Sequence, residues 1–399
     1  MGEWADDVLG SYLNFRNGKT SPERYDSGAF AVFGSNGTIG RANETNADAD
    51  TIIIGRVGTY CGSLHYSSSP CWVTDNAIIC TPPKNEGRFW FYALSSLDLN
   101  NYRAGSGQPL LNQSILKQIR FHVPTAAERI QIGMFIGALD DKIELNRRMN
   151  ETLEAMARAI FKDWFVDFGP TRAKAEARAP YLAPEIWALF PDALDDEDKP
   201  VGWKHGTLED VADSPRRGIN PSDVAEDTPY IGLEHMPRRS IALSEWEGAG
   251  KVTSNKSVFK KGEFLFGKLR PYFHKVGFAP LDGICSTDIV VVIPRTPEWA
   301  SFSLICLSSD EFVDYTDQTS TGTKMPRTSW KTMGQYKICL PSEQVARAFQ
   351  SLAQPLIDRV NANIHESRTL AQTRDLLLPK LMSGEIRLRE AEKAVEAVA

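Results

Sequence analysis

Every residue pattern in the chain that could carry catalysis is incomplete. Pro82-Pro83 sits in Thr81-Pro82-Pro83-Lys84. An adenine methyltransferase would need Asn or Asp before the prolines, an aromatic after them and a cofactor glycine motif, so this run is a loop. Gly18-Lys19-Thr20 has the ending of a phosphate-binding loop, but Leu13 stands where that pattern needs its first glycine, so the backbone nest for a phosphate is absent. Gly34, Gly37 and Gly40 follow G-x-x-G-x-x-G rather than G-x-G-x-x-G, and turn chemistry accounts for them. Pro191-Asp192 with Glu197-Asp198-Lys199 imitates a nuclease carboxylate set. The spacing is too short to place those groups on adjacent strands, which leaves a solvated acidic stretch. The six histidines make no H-E-x-x-H or other ligand spacing, and no metal site is expected. Cys61, Cys71, Cys80, Cys285, Cys306 and Cys339 form no C-x-x-C pair and are expected as reduced, mostly buried thiols. The expectation is a chain with no catalytic residues.

What remains is binding chemistry. Basic and aromatic residues interleave in Lys268-Leu269-Arg270-Pro271-Tyr272-Phe273-His274-Lys275 and again in Thr321-Gly322-Thr323-Lys324-Met325-Pro326-Arg327. Lys and Arg neutralise phosphates, and Arg, Asn and Gln form the bidentate pairs that distinguish bases in the major groove. The candidate DNA contacts are therefore Lys268, Arg270, Tyr272, His274, Lys275, Lys324 and Arg327. In the first half of the chain the equivalent loops hold Arg56, Tyr60 and His65, then Arg103 and Gln108. The net charge of −6 and pI near 5.7 argue against nucleic acid, because phosphate binding usually leaves a basic footprint. Charge is segregated, however. Acid is concentrated in 192–198, whereas 251–275 carries Lys251, Lys256, Lys260, Lys261, Lys268, Arg270 and Lys275 against Glu263 alone.

The elements that position these groups come from an internal repeat. A shift of 217 residues lays 109–165 on 326–382 without a gap, matching Pro124 to Pro341, Asp141 to Asp358, Asn146 to Asn363 and Thr152-Leu153 to Thr369-Leu370. Ile132, Ile136, Leu139, Ile143, Asn146, Leu153, Ile160 and Trp164 correspond to Phe349, Ala353, Leu356, Val360, Asn363, Leu370, Leu377 and Leu381. Their alternating spacing of 3 and 4 is that of a coiled-coil seam. Two long amphipathic helices follow, each about 60 Å from roughly 40 residues at 1.5 Å rise, suited to packing on each other. Asn146 and Asn363 are candidates for fixing the register of that pair. Pro355 would kink the second helix or mark where its regular part begins. Upstream, Thr51-Ile52-Ile53-Ile54-Gly55-Arg56 parallels Glu263-Phe264-Leu265-Phe266-Gly267-Lys268, and such short β-branched and aromatic runs are strands.

The expected fold is α+β: two β-rich recognition modules, each followed by a long helix. The boundaries fall at 1–124 for the first module, 125–165 for the first helix and 166–199 for a linker or outer strap. The second module spans 200–341, the second helix 342–386 and a tail 387–399. The N-terminal residues, with Trp4, Asp6 and Asp7, lack the pattern of a signal peptide, and no apolar run is long enough to span a bilayer, so the expected location is the cytoplasm. The patch Phe161, Trp164, Phe165 is expected to be exposed and to bind a partner.

The stretch from Leu139 to Leu153, LDDKIELNRRMNETL, running into Ala159-Ile160-Phe161-Lys162-Asp163-Trp164-Phe165, closely resembles the central region of specificity subunits of type I restriction-modification systems. The stretch from Leu376 to Ile386, LLLPKLMSGEI, is similar to that family's C-terminal signature. The order of parts matches across nearly the whole chain. The resemblance implies two target-recognition domains held apart by an antiparallel helix pair with pseudo-twofold symmetry. It further implies double-stranded DNA as ligand, two methyltransferase subunits that methylate adenine in a bipartite site, and motor-nuclease subunits that cut unmodified DNA. S-adenosylmethionine, ATP and Mg would then reside on those partners and no cofactor on this chain. A specificity subunit of a related system that cuts on both sides of its site, and a coiled-coil protein scaffold, are the alternatives.

Overall fold

The computed structural model describes residues 4–103, 110–322 and 324–396. They form two compact units, each assembled from both halves of the chain: residues 1–143 with 369–399, and residues 144–368.

In the first unit a four-stranded antiparallel sheet has the order Asn14–Asn17, Ala77–Thr81, Thr51–Gly55, Leu64–Ser67. A three-stranded sheet, Gly37–Ala42, Phe30–Gly34, Trp72–Val73, packs with it. The alternation of side chains along a strand decides how these sheets are used. Ile52, Ile54, Ile78 and Cys80 point into one core, beneath Phe89 and Trp90, while Ile53, Ala77 and Ile79 point into another with Phe33 and Val73. A strand buried on both faces has no polar positions, which is why Ile52-Ile53-Ile54 is a continuous apolar run.

The second unit repeats this plan. Its four-stranded sheet has the order Ala212–Asp213, Ile289–Pro294, Phe264–Gly267, Val276–Phe278. Phe264, Phe266, Val290 and Val292 face one core, and Leu265, Ile289 and Val291 face the other. The companion sheet has grown to five strands, in the order Gly218–Ile219, Lys256–Phe259, Gly283–Cys285, Pro229–Ile231, Glu247–Gly248. Each unit also carries a two-stranded ribbon that leads into its long helix, Ala5–Val8 with Arg120–Val123 and Lys204–Thr207 with Lys337–Leu340.

The long helices are Ala126–Phe161 and Glu343–Ser383. Pro124 and Pro341 precede them, and Thr125 and Ser342 cap them. Thr125 and Glu128 form a reciprocal box, Glu128 N–H donating to Thr125 Oγ1 at 3.4 Å and Thr125 N–H to Glu128 Oε2 at 3.3 Å. The first helix ends in a π turn, Lys162–Val166, before Phe168 enters the left-handed region at φ 53°. The second runs straight through Pro355, so that proline lies inside the helix and does not mark its start.

The two helices are antiparallel. In the first unit Arg374 donates to Asp140 at 2.6 Å, and Ile132 and Ile136 share a core with Leu377 and Leu381. In the second, Asn146 Nδ2 donates to Glu366 Oε2 at 2.8 Å and Asn363 Nδ2 to Asn150 Oδ1 at 2.8 Å. Asn146 and Asn363 are fully buried, and the amide oxygen of each has no partner.

Glu154 fastens the first helix to the second unit's β layer. Its buried carboxylate accepts from Ser240 Oγ at 2.7 Å, Ile241 N–H at 3.0 Å and Ala242 N–H at 3.2 Å. Burial outweighs these donors and raises its pKa above the ordinary 4.5. The folded chain therefore holds this proton more tightly than the unfolded chain. The contribution to stability is present in acid and lost as pH rises through the folded pKa. Relative to Glu154→Gln, which does not titrate, the native chain is expected to gain stability as pH is lowered from about 7 toward that range. Urea midpoints at several pH values check this, and an unchanged or opposite difference would refute it.

Residues 166–199 pack on the second unit through the short helices Gly169–Ala175 and Pro184–Trp187. Phe190 is buried there against Trp164 and Trp203. The six cysteines are free thiols, five of them buried. No helix among the described residues is long and apolar enough to cross a membrane.

Candidate nucleic-acid interface

In the second unit the strand Phe264–Gly267 delivers the chain to the segment 268–275, which a 3-10 turn at Pro271–Phe273 bends sharply. Residues 326–328 lie beside it: Leu269 bridges Arg327, Arg270 N–H donates to Pro326 O at 2.7 Å and Thr328 N–H to Lys268 O at 3.0 Å. Two runs some fifty residues apart in sequence thus form one surface. Lys324 and Arg327 are exposed on it, and Lys268 and Arg270 are half-buried. Among the described residues no carboxylate lies in ion-pair reach of Lys268, Arg270 or Lys324, and Arg270 Nε has no partner. Arg327 is in reach of Asp288 at 3.4 Å. Tyr272 is 49% exposed at the tip.

Two members of the expected set do not belong to this surface. His274 is only 4% exposed; its Nε2 makes a 2.9 Å hydrogen bond with Ser308 O and its Nδ1 stands 3.3 Å from Asp310. Burial lowers its pKa, so it is a neutral brace behind the turn. The ammonium of Lys275 is turned inward and donates to the Leu233 carbonyl. Sequence spacing placed both in a basic run, but the left-handed conformations of Arg270 (φ 52°) and His274 (φ 51°) redirect the chain within it.

The first unit has the same arrangement. Strand Thr51–Gly55 leads to Arg56 and the 3-10 turn Gly58–Tyr60, and Leu110 and Leu111 lie beside it through the Val57–Leu110 bridge and Leu111 N–H donating to Arg56 O at 3.1 Å. Arg56 and Arg103 are half-buried, and the Nε atom of each is enclosed without a partner. Tyr60 is 49% exposed. His65 is half-buried with its ring 6.4 Å from Phe33, its Nε2 is unpartnered, and burial lowers its pKa. Gln108 lies outside the described residues.

The aromatic cluster expected to be an exposed partner patch is instead core. Phe161, Trp164 and Phe165 are buried among Phe302, Phe349, Phe190 and Trp203 of the same unit. The helical periodicity was right, but the sequence carried no sign that the π turn aims these rings inward.

One group in the second unit has the composition of a metal site: Glu234, His235 and Glu247 have ligand atoms within 4.8 Å of one another. Gly232 N–H donates to His235 Nδ1 at 2.9 Å, so that lone pair is already engaged by the backbone. Sequence reading also missed Arg238, whose guanidinium covers the Phe273 ring at 4.2 Å.

Residues 1–155 match the family model of the type I restriction modification DNA specificity domain. The chain is 26% identical over 310 residues to the MjaIX specificity subunit of Methanocaldococcus jannaschii, covering 73% of this chain and 66%, just under two thirds, of that relative. It is 25% identical over 374 residues to the HindI specificity subunit of Haemophilus influenzae, covering 79% of each. The crystal structure of the type I system S subunit from M. genitalium superposes with a TM-score of 0.62 at 15% identity, over 95% of this chain and 96% of that one, and has the same fold. The chain is similar to the specificity subunits of type I restriction-modification systems.

Proposed function

We propose that each unit reads one half of a bipartite site on double-stranded DNA, and that the helix pair sets the unread spacer between the halves. The observation that carries this reading is the paired loop surface, built at the end of the same four-stranded sheet in both units from one strand exit and one returning segment. Arg56, Tyr60, His65 and Arg103, with Gln108, would face one half-site, and Lys268, Arg270, Tyr272, Lys324 and Arg327 the other. A stiff helical spacer fixes half-site separation by geometry, and the buried Asn146 and Asn363 would fix the register that defines its length. Two methyltransferase subunits would methylate adenine with S-adenosylmethionine, and motor-nuclease subunits using ATP and Mg would cleave, all in the cytoplasm.

The test is methylation mapping of plasmid DNA from cells that express the chain with its methyltransferase, alongside Lys268→Ala/Arg270→Ala/Lys324→Ala. The native chain is expected to give a bipartite motif, and the triple variant to lose it or make one half degenerate. Each lost phosphate or base contact is worth about 1–3 kcal/mol, or roughly tenfold or more. If the two proteins co-purify and no motif is modified, the reading is wrong.

A further inference from the structure

The two half-exposed tyrosines occupy equivalent places. Each sits on a 3-10 turn that immediately follows the central strand of its four-stranded sheet, four residues after a cation: Arg56 before Tyr60 and Lys268 before Tyr272. A flexible loop would let such a ring fold down onto the surface. Here the backbone of the turn is fixed. In the second unit two non-glycine residues, Arg270 and His274, hold left-handed conformations on either side of the turn. Strain of this kind persists only where the surroundings enforce it, and it is concentrated at functional sites. The enforcement is visible: Arg270 N–H is bonded to Pro326 O, and His274 Nε2 to Ser308 O. The tyrosine ring itself is braced edge-on by Phe273, centroids 4.7 Å apart at 65°, and the Arg238 guanidinium lies over the Phe273 ring at 4.2 Å.

The first unit reaches the same end with different residues. Gly58 supplies the left-handed step at φ 71°, and the turn closes so tightly that a Cβ at Gly55 would lie 2.1 Å from Tyr60 O. Gly267, at the matching strand end, would place a Cβ 2.9 Å from Leu233 Cδ2.

We infer that Tyr60 and Tyr272 are preformed aromatic wedges, each stacking on a base that leaves the regular duplex stack in its half-site. This rests on the DNA-reading proposal above and deepens it by assigning a mode of contact. The chemistry follows from the ring. Every base has a π face, stacking on an aromatic side chain compensates for lost base stacking, and rigid side chains inserted at a base step make local unstacking cheaper. A ring held erect before DNA arrives loses little rotamer freedom on binding. The neighbouring cations would anchor the flanking phosphates, so that the wedge meets a fixed step.

The experiment uses the chain with its methyltransferase and duplexes that carry the mapped motif, with 2-aminopurine placed in turn at each position of each half-site. With the native chain, fluorescence is expected to rise at one position in each half. Tyr272→Ala should abolish the rise in one half only and weaken binding about tenfold. Tyr60→Ala should do the same in the other half. Tyr272→Phe and Tyr60→Phe, which keep the ring and remove only the hydroxyl, should behave as native. The inference fails if the alanine variants keep both the fluorescence rise and an affinity within about twofold of native, or if phenylalanine behaves as alanine, which would assign the role to the hydroxyl. A mapped motif with unaffected tyrosine variants sinks the wedge alone. The absence of any motif with the native chain sinks the wedge and the DNA reading together.

Discussion

Arg129→Ala is expected to destabilise the first unit by about 3–5 kcal/mol, the loss that follows when one member of a buried ion pair is removed. Arg129 is held bidentately by Glu86, Nε to Oε2 at 2.7 Å and Nη2 to Oε1 at 3.0 Å, and also donates to Pro124 O at 2.6 Å. Trp90 Nε1–H donates to the same Glu86 oxygen at 2.9 Å, and the guanidinium lies over the rings of Tyr12 at 5.0 Å and Trp90 at 5.7 Å. Alanine would strand the carboxylate in an apolar site. Glu86→Ala should cost a similar amount, whereas replacing the pair together by Leu and Met should recover much of the loss. Urea denaturation of the four proteins checks this. A loss below about 1 kcal/mol for either single variant, the range of an exposed pair, would show that the charges are solvated.

The second large effect is expected at Trp164. Its ring is 1% exposed, with centroids of Phe190, Phe165 and Phe349 between 5.0 and 6.0 Å away. Truncation to alanine leaves a cavity at the centre of an aromatic cluster, and about 3–5 kcal/mol should be lost. The purified chain alone is the appropriate sample, because the two roles predict different things. A docking residue would leave the melting temperature unchanged and weaken only the complex. A core residue lowers the melting temperature with no partner present.

Much of the architecture was legible because it obeys periodicity. The seam from Ile132 to Trp164 and its counterpart from Phe349 to Leu381 announce two helices in matching register, and Ile52-Ile53-Ile54 with Val290-Val291-Val292 announce strands buried on both faces. The two basic runs at 268–275 and 321–327 were legible as composition, but not that residues 326–328 lie beside the first. What was hidden depends on backbone conformations that no pattern marks. Nothing in the sequence shows that Arg270 and His274 adopt positive φ, and it is this that buries His274 and lifts Tyr272. Nor does the sequence show that the first long helix ends in a π turn, in which Trp164 and Phe165 are buried rather than exposed. The Glu86–Arg129 pair was invisible for another reason, since its members are separated by 43 residues and become partners only when the core closes.

The antiparallel helix pair also determines when each part of the molecule can mature during synthesis. The unit built from 144–368 is complete in sequence once Arg368 has left the ribosome, although its residues are made second. The unit that holds Leu9 and Trp90 must wait longer, because Leu377, Leu381, Met382 and Ala391 fill the same core. Until those residues emerge, Ile132 and Ile136 would lack the side chains that cover them. A chaperone is expected to bind there, and a chain stopped after Arg368 should be degraded for failing to close that unit.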